Sequence, residues 1–378
     1  MARIRLALIG LSQSAKTSWA RDGHLPYLLS ERGRERYKIA ALLNSSEEAA
    51  QRAIDHYELG ADVAAYGSPQ ALAEDPNIDL VVCTTRVDVH YGTIRPSLEA
   101  GKSAFVEWPL AESLQRASEL ADLARERHVR TIVGLQARVA PVVLKIKELL
   151  EAGTIGQVLS SDVSAATPLG GGDSISEGLA YFMDKKVGGN AVTIAFGHTI
   201  DYVHFVLGEY ASSQAHWQIQ RPNQTIVNRE TGAKRLIISD VPDLVSLHGT
   251  LQPSRYVAEG ASLVVHFRSG PPFPGTTAFA WTITGQKGEI RVSSERGPSI
   301  QVAADDVPVP IEVHDFATGE VKQVEWTWEE WQGTLSARGR NIGKVYDLLY
   351  EGRVEKSGVA NFETAAVRHR QLNAMLSQ

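Results

Sequence analysis

The chain begins with the stretch IRLALIGLSQSAK at residues 4–16. Residues 4–11 form an almost wholly apolar run, which is typical of a strand buried on both faces of a parallel sheet. Gly10 stands near the end of this run, where such a strand would turn into a helix. The opening therefore predicts the first strand and turn of an α/β domain.

Outward from this strand, the first 150 residues alternate between apolar runs and helical patterns. Such alternation demands a parallel sheet with helices on both faces, so we predict a doubly wound Rossmann domain over residues 1–135. Glu48 follows Ser45 by three residues, which predicts a capping box at one helix start. The further predicted strands are Tyr37–Leu43, Asp79–Thr84, Ser103–Glu107 and Thr131–Leu135.

The pattern changes after Gly156, where apolar runs follow one another over short connections. Strands in this order predict an antiparallel sheet. Residues 136–378 are therefore expected to form an α+β domain with a large, mostly antiparallel open sheet for substrate and dimer contacts. Two closing helices, at 335–350 and 362–376, could pack back on the first domain. The predicted strands are Val158–Ala165, Ser212–Ile219, Leu244–Leu251, Ser262–Arg268, Ala278–Thr284 and Glu289–Val292.

Charge and composition exclude several classes of protein. Lys and Arg number 38, Asp and Glu number 44, and the formal net charge is −6. Nucleic acids and anionic membranes require a dense basic surface, which this balance does not favour. The single cysteine, Cys83, excludes an internal disulfide and a cysteine-rich zinc cluster. No apolar run suits a membrane span or a secretory signal, so we expect a cytoplasmic protein, or a nuclear one if it is a regulator.

The carboxyl ends of the predicted parallel strands are the expected ligand site. A dinucleotide fingerprint would read G-x-G-x-x-G after the first strand, with the pyrophosphate at the helix start. Only Gly10 remains here, because Ser12 and Ala15 occupy the other two positions. Both replacements are small, so close approach of the backbone to a phosphate stays possible, with Ser14 and Lys16 as further contacts. A plain strand-to-helix turn fits these residues equally well.

The second strand ends in Asn44-Ser45-Ser46 and carries no carboxylate there. A carboxylate at this position would bind the ribose 2′-hydroxyl of NAD and repel a 2′-phosphate. Its absence, with Arg52 nearby, favours NADP, while NAD remains the alternative. The two serines could also do no more than cap the following helix.

His198 and Asp201 are three residues apart in a segment with a helical pattern. On a helix they share a face, and a carboxylate beside an imidazole can orient it for proton transfer. A purely structural pair is the alternative. His204 is six residues from His198, which does not suit a helical zinc pair, and we predict no metal site.

Several motifs, in this order, resemble the glucose–fructose oxidoreductase/inositol dehydrogenase (Gfo/Idh/MocA) family along nearly the whole chain. Residues 85–90 (TRVDVH) resemble its T-P-x-x-x-H element, residues 107–109 (EWP) its E-K-P, and residues 188–201 its G-G-G…D-x-G-x-H-x-x-D segment. Within the family, the likeness is greatest to the branch of fungal galactose-regulon repressors, whose version of the E-K-P strand also carries Trp.

The resemblance implies a dinucleotide bound at the carboxyl edge of the first domain. The residues that it and the strand ends assign to the cofactor are Gly10, Leu11, Ser12, Ser14, Lys16, Asn44, Ser45, Thr84, Thr85, Arg86, His90, Glu107, Trp108, Gln136 and Arg138.

The family's enzymes carry Lys at the position of Trp108, where it touches ribose and substrate and helps to move a proton. Indole donates a single hydrogen bond and has no accessible titration. The family's Asp four residues before its His is Ile194 here. The resemblance therefore leaves His198 as the expected catalytic residue, with Asp201, Tyr181 or Lys185 in support.

Two hypotheses follow from the resemblance. One is an NAD(P)-dependent oxidoreductase acting on a small carbonyl, hydroxyl or imine compound with a non-standard acid or base. The other is a non-catalytic NAD(P)-binding transcriptional co-regulator that recognises a protein partner. A homodimer through the open face of the antiparallel sheet is expected in either case.

Overall fold

A computed structural model describes residues 2–15, 18–167, 174–302 and 308–377. By their contacts these residues divide into two compact units. The first comprises residues 1–139 and 329–370, and the second comprises residues 140–328 and 371–378. The division expected between residues 135 and 136 lies close to the first of these breaks, and most of the C-terminal helical region falls in the first unit.

The α-helices of the described residues are α1 (Leu25–Leu28), α2 (Glu31–Arg36), α3 (Glu47–His56), α4 (Pro69–Glu74), α5 (His90–Glu99), α6 (Leu114–Glu126), α7 (Pro141–Glu151), α8 (Gly197–Leu207), α9 (Glu330–Gly333), α10 (Ala337–Tyr350), α11 (Val354–Ser357) and α12 (Phe362–Leu376). Short 3₁₀ or π turns occupy Ala20–His24, Val87–Val89, Gln136–Val139, Glu177–Met183, Lys185–Val187, Ala191–Phe196 and Ile300–Val302.

The sheet of the first unit is parallel throughout. Its strands are β1 (Ile4–Ile9), β2 (Tyr37–Leu43), β3 (Ala64–Tyr66), β4 (Leu80–Cys83), β5 (Ser103–Val106) and β6 (Thr131–Val133). Their spatial order is β3-β2-β1-β4-β5-β6, which confirms the doubly wound prediction. The chain changes direction across the sheet between β1 and β4, and such a switch point opens a crevice at the carboxyl ends of these strands.

The start of α3 differs from the prediction by one residue. Ser46 is the N-cap, and its hydroxyl accepts a hydrogen bond from the Ala49 amide at 3.2 Å. The capping box expected for Ser45 and Glu48 is therefore wrong, because the third helical position belongs to Ala49. Ser45 is left exposed just beyond β2.

The core of the first unit joins the two ends of the chain. Leu6, Leu8 and Phe105 of the sheet are fully buried in one apolar cluster with Ile342 and Tyr346 of α10. In addition, the backbone amide of Val133 at the end of β6 donates to the carbonyl of Ala360 at 2.8 Å. Residues from the last fifth of the sequence thus complete the core of the unit whose first strand begins at Ile4.

The second unit contains a large, mostly antiparallel sheet, as predicted. Its spatial order is β17-β16-β15-β14-β7-β13-β12-β9, and only the β7–β13 pair among these neighbours is parallel. A smaller sheet has the order β11-β10-β8. The strands are β7 (Val158–Thr167), β8 (Ser174–Ser176), β9 (Tyr210–Gln218), β10 (Asn223–Val227), β11 (Lys234–Ile238), β12 (Leu244–Leu251), β13 (Val257–Ser269), β14 (Phe279–Gly285), β15 (Gly288–Ser294), β16 (Ile311–Asp315) and β17 (Val321–Val324).

Side chains of the large sheet alternate between its two faces. Along β14, Phe279, Trp281 and Ile283 are fully buried, whereas the residues between them are only half-buried. On β13, Val264 and His266 are exposed between buried neighbours. One face therefore packs a core, while the other presents mostly small and polar groups.

Candidate functional site

The turn after β1 requires glycine. Gly10 has φ +96°, a left-handed conformation that favours glycine. A Cβ atom at this position would lie 2.8 Å from Cγ2 of Thr85 and 3.2 Å from Oγ1 of Thr84. The backbone of the β1 turn thus lies directly against the end of β4, at the switch point of the sheet.

Thr84 ties the two strands together on the same side. Its backbone amide and its hydroxyl both donate to the carbonyl of Ile9, at 3.0 and 2.7 Å. The hydroxyl of Thr85 lies 3.4 Å from the buried Sγ of Cys83. Burial raises the pKa of the Cys83 thiol, so this cysteine is uncharged at neutral pH.

The loop after Gly10 presents hydroxyl groups. The hydroxyls of Ser12 and Ser14 lie 3.1 Å apart, and the Ser14 amide donates to Oγ of Ser12 at 3.3 Å. The side chain of Leu11 is fully buried, so only its backbone can meet a ligand. Lys16, also expected at this site, lies outside the described residues.

At the end of β2, Asn44 braces the same loop. Its side-chain amide donates to the carbonyl of Leu11 at 2.8 Å and to that of Ala49 at 3.3 Å. Because Ser46 caps α3, the exposed hydroxyl of Ser45 is the one that remains at this edge. Residues 44–46 carry no carboxylate.

The predicted contacts after β4 have partners within the first unit. Arg86 is exposed and forms a two-point ion pair with Asp88, at 2.6 and 2.7 Å. His90 is buried, with Nδ1 3.0 Å from the carbonyl of Pro109 and Nε2 2.8 Å from that of Thr85. Burial lowers the pKa of His90, so the neutral ring donates to one carbonyl at a time. This geometry supports a role in fixing two loops of the edge.

The end of β5 holds a buried carboxylate. Oε1 of Glu107 lies 2.9 Å from Nε2 of His24, whose other ring nitrogen lies 2.7 Å from the hydroxyl of Tyr346. A Cβ atom on Gly134, at the end of β6, would lie 2.1 Å from Oε2 of Glu107. Glycine is therefore required there to make room for the carboxylate.

Trp108 follows Glu107 and is almost fully buried. Its ring centroid lies 4.8 Å from that of His369 on α12, at an interplanar angle of 48°. Burial lowers the pKa of His369 to about 4. Nε2 of His369 is buried and has no hydrogen-bond partner among the described residues.

Sequence reasoning missed His24, Tyr346 and His369. His24 and Tyr346 are 322 residues apart in the chain. No periodicity or motif signals a hydrogen bond over such a separation.

Gln136 and Arg138, in the turn after β6, are buried. Oε1 of Gln136 has no hydrogen-bond partner among the described residues, so it is an acceptor available to a ligand that donates. Together with the Gly10 turn and the serine hydroxyls, this donor and acceptor set fits a dinucleotide.

The predicted catalytic residues belong to the second unit. His198 and Asp201 both lie on α8, where Asp201 is fully buried and His198 is half-buried. Tyr181 and Lys185 lie on the preceding 3₁₀ turns, and the Tyr181 ring contacts Phe182 with centroids 4.9 Å apart. The backbone amide of Lys185 donates to Asp240 at 2.7 Å, and its side chain is exposed.

The described residues contain no group of three or more His, Cys, Asp or Glu side chains arranged to hold a metal ion. In the same part of the chain, no helix has the length and apolar content needed to cross a membrane.

The first unit has a parallel sheet with a glycine turn at its switch point, and the second unit is built on a large antiparallel sheet. Together these features define a dinucleotide-binding protein of the two-domain oxidoreductase class. Residues 4–135 match the family described as "Oxidoreductase family, NAD-binding Rossmann fold", and residues 141–294 match "Gal80p, C-terminal domain". The chain belongs to this NAD-binding oxidoreductase family, the Gfo/Idh/MocA family, which confirms the resemblance drawn from the motifs.

Three comparisons illustrate its relatives. The chain is 32% identical to "Dehydrogenase aclE" of Aspergillus oryzae over 375 residues, which cover 99% of this chain and 95% of that protein. It is 27% identical to the galactose/lactose metabolism regulatory protein GAL80 of Kluyveromyces lactis over 305 residues, 78% of this chain and 64% of that protein. The crystal structure of a super-repressor mutant of Gal80p from Saccharomyces cerevisiae has a TM-score of 0.84 at 24% identity, covers 100% of this chain and 96% of that one, and shows a shared fold.

Proposed function

We propose that the protein is an NAD(P)-dependent oxidoreductase that transfers hydride to or from a small carbonyl, hydroxyl or imine compound. The observation that carries the proposal is the turn at Gly10, which brings backbone against the ends of β1 and β4 where a dinucleotide binds in this fold. The likeness to a dehydrogenase over nearly the full length of both chains supports an enzyme.

In this proposal the first unit holds the cofactor. The Gly10 turn and the hydroxyls of Ser12 and Ser14 receive the diphosphate, and Oε1 of Gln136 accepts a hydrogen bond from the ligand. When bound, the nicotinamide ring supplies or accepts the hydride. His198, with support from Asp201, Tyr181 and Lys185, is proposed to handle a proton of the substrate.

NADP is the proposed cofactor, with NAD second. Ser45 is exposed at the end of β2, and Arg52 is exposed on α3. A hydroxyl and a cation tolerate a 2′-phosphate, whereas the carboxylate typical of NAD-selective enzymes would repel it.

The second candidate is a cofactor-binding regulator without turnover. Two features favour it: the match of residues 141–294 to the Gal80p C-terminal domain, and Trp108 at the position where the resemblance to the family leads one to expect lysine. A protein that only binds its cofactor does not need the acid or base that lysine provides.

For either function we propose a homodimer through the outward face of the large sheet. Val264 is exposed there, with Ser262 and His266 beside it on β13 and Asp162 opposite it on β7. A face of this kind can pack against its own copy. Sedimentation over a concentration series tests this part of the proposal.

The test of function has two stages. Fluorescence titration with NADPH and NADH measures binding, and nicotinamide absorbance then follows turnover across sugars, polyols, aldehydes, ketones and imines. Turnover that His198→Ala abolishes without weakening NADPH binding is the expected result. NADPH binding with no turnover in the whole panel would favour the regulator, and failure to bind either nucleotide would refute both candidates.

A further inference from the structure

Strand β11 is the exposed edge of the small sheet in the second unit. It ends the three-stranded order β11-β10-β8, and within the described residues no strand pairs with its second side. Leu236 is 68% exposed and Ile238 is 73% exposed, although both are large and apolar. A free edge that carries exposed apolar side chains and no proline is a surface to which another strand can add.

The other face of β11 is already packed. Ile237 contacts the small apolar cluster to which Ile226 of β10 and Phe182 belong. Because side chains alternate along a strand, Leu236 and Ile238 stand together on the opposite face. The packing of Ile237 fixes the strand, so its free edge is a formed surface before any partner binds.

The hydrogen bonds with β10 show which backbone groups of β11 point outward. At one end of the hairpin, the amide of Asn228 donates to the carbonyl of Ala233 at 2.9 Å. At the other end, the amide of Ser239 donates to the carbonyl of Pro222 at 2.7 Å. In an antiparallel pair, hydrogen-bonded residues alternate with residues whose amide and carbonyl point away from the neighbouring strand. Between these two ends, the residues that point away from β10 are Lys234, Leu236 and Ile238.

A second copy of β11 can pair with all of these outward groups. When two copies run antiparallel about a two-fold axis at Leu236, the amide and carbonyl of each Leu236 bond those of the other. Lys234 then lies opposite the partner's Ile238, and this pair bonds in the same way. Every outward amide and carbonyl between residues 234 and 238 acquires a partner in this register.

The same register suits the side chains. The two copies of Leu236 meet at the axis, and each Lys234 lies beside an isoleucine that its aliphatic stem can cover. Neither Lys234 nor Arg235 faces another cation. A parallel pair in register would instead place like charges side by side, which is destabilising.

We propose that β11 pairs with β11 of a second copy of this chain, antiparallel and centred on Leu236, so that the two small sheets become continuous. Such a contact uses the same surface on both subunits, as two-fold symmetry requires. It is separate from the contact proposed for the outward face of the large sheet. It also holds whether the protein is an enzyme or a regulator.

Cysteine substitution tests the register. Cys83 is the single cysteine of the chain and is buried, so an introduced thiol is the accessible one. In the proposed pair the two Cα atoms at position 236 are about 5.5 Å apart, within the range of a disulfide. Those at position 238 are about 14 Å apart, because each lies four residues from the point opposite its copy.

Under mild oxidation of the full chain, we expect Leu236→Cys to give a linked dimer in at least about half of the chains. Ile238→Cys, at an equally exposed position of the same strand, is the matched control and should link less than about a tenth. A non-reducing gel measures both. Equal linking by the two variants, or linking by neither, would overturn the proposed pairing.

Sedimentation velocity of the full chain over about 1–100 µM measures the strength of the contact. Leu236→Lys places two ammonium groups at the axis, and we expect it to raise the Kd for self-association by roughly 100-fold or more. Leu236→Pro removes the outward amide without removing a bond to β10, and it should weaken association as well. Phe273→Lys adds the same charge at a side chain that is 75% exposed outside β11, and it should change the Kd by less than about threefold.

Three results would overturn the inference. One is a wild-type chain that stays monomeric over the whole range, and another is association that neither Leu236→Lys nor Leu236→Pro weakens. The third is association that Val264→Lys abolishes and Leu236→Lys leaves unchanged, which would assign self-association to the large sheet alone. The binding of NADPH and turnover test the proposed function separately, so its failure is distinguishable from the failure of this pairing.

Discussion

The two main sheets of the protein distribute polar side chains in different ways. In the first unit, the strands are apolar along their length, and the polar groups gather at the carboxyl ends, as Thr84 and Glu107 do. In the large sheet of the second unit, buried and exposed residues alternate along each strand, as on β13 and β14. A parallel sheet covered on both faces has only its edges for binding, whereas an antiparallel sheet can offer a whole face.

The largest expected effect lies at the edge of the parallel sheet. We expect Gly10→Ala to raise the Kd for NADPH by roughly 100-fold, because the new Cβ meets Thr85 and the backbone must leave its left-handed conformation. Gly92→Ala is the control, since a Cβ there meets nothing within 4 Å. Fluorescence titration measures both, and unaltered binding by Gly10→Ala would show that the edge is not the nucleotide site.

The edge should also be sensitive to acid. Burial lowers the folded-state pKa of His369 to about 4, below the ordinary value of 6.5. Between these values the unfolded chain binds a proton that the folded chain does not, so stability present above pH 6.5 is lost as the pH falls. From pH 7 to pH 5 the expected loss is roughly 2 kcal/mol. Urea unfolding at both pH values should show a smaller loss for His369→Gln, and equal losses in the two proteins would contradict the expectation.

A substitution inside the large sheet should lower stability without affecting the edge. The indole of Trp281 is fully buried and donates to Oγ of Ser161 at 2.9 Å. Ser161→Ala leaves that N–H without an acceptor, at a cost of about 1.5 kcal/mol in the free energy of unfolding. Ser164→Ala, at an exposed position of the same strand, is the control. Reduced NADPH affinity in Ser161→Ala would mean that the two sheets are not independent in function.

The smallest expected effect concerns the choice of cofactor. Ser45→Asp places a carboxylate at the exposed end of β2 and leaves the Ser46 cap of α3 unchanged. We expect the ratio of NADPH to NADH affinity to fall about tenfold, because the carboxylate repels the 2′-phosphate and can bind a ribose hydroxyl. Ser45→Ala should leave the ratio near that of the wild type. An unchanged ratio in Ser45→Asp would place the adenosine ribose elsewhere.

Much of the architecture could be predicted because local runs and periodicities of apolar residues determine where strands and helices form. The ranges expected for β2, β12 and α12 agree with the structure to the residue. The short strands β8, β10 and β11 were not predicted, since none of them carries a long apolar run; the longest, Leu236–Ile238 of β11, is largely exposed in the structure. At the site, Gly10, Ser12 and Ser14 after β1 could be predicted from a motif. The line of contacts from Glu107 through His24 to Tyr346 could not be predicted, because residues that only folding brings together have no characteristic spacing in the sequence.

Because residues 329–370 belong to the first unit, this unit cannot finish folding until the end of the chain has been synthesised. The sheet that begins at Ile4 buries its apolar side chains against α10, and β6 is joined to Ala360 by a backbone hydrogen bond. A ribosome has released nearly all of the second unit before these partners emerge. The apolar side chains of residues 1–139 that pack on α10 therefore stay partly exposed until synthesis is almost finished. A chain terminated early would keep this hydrophobic surface exposed, where chaperones and proteases can recognise it.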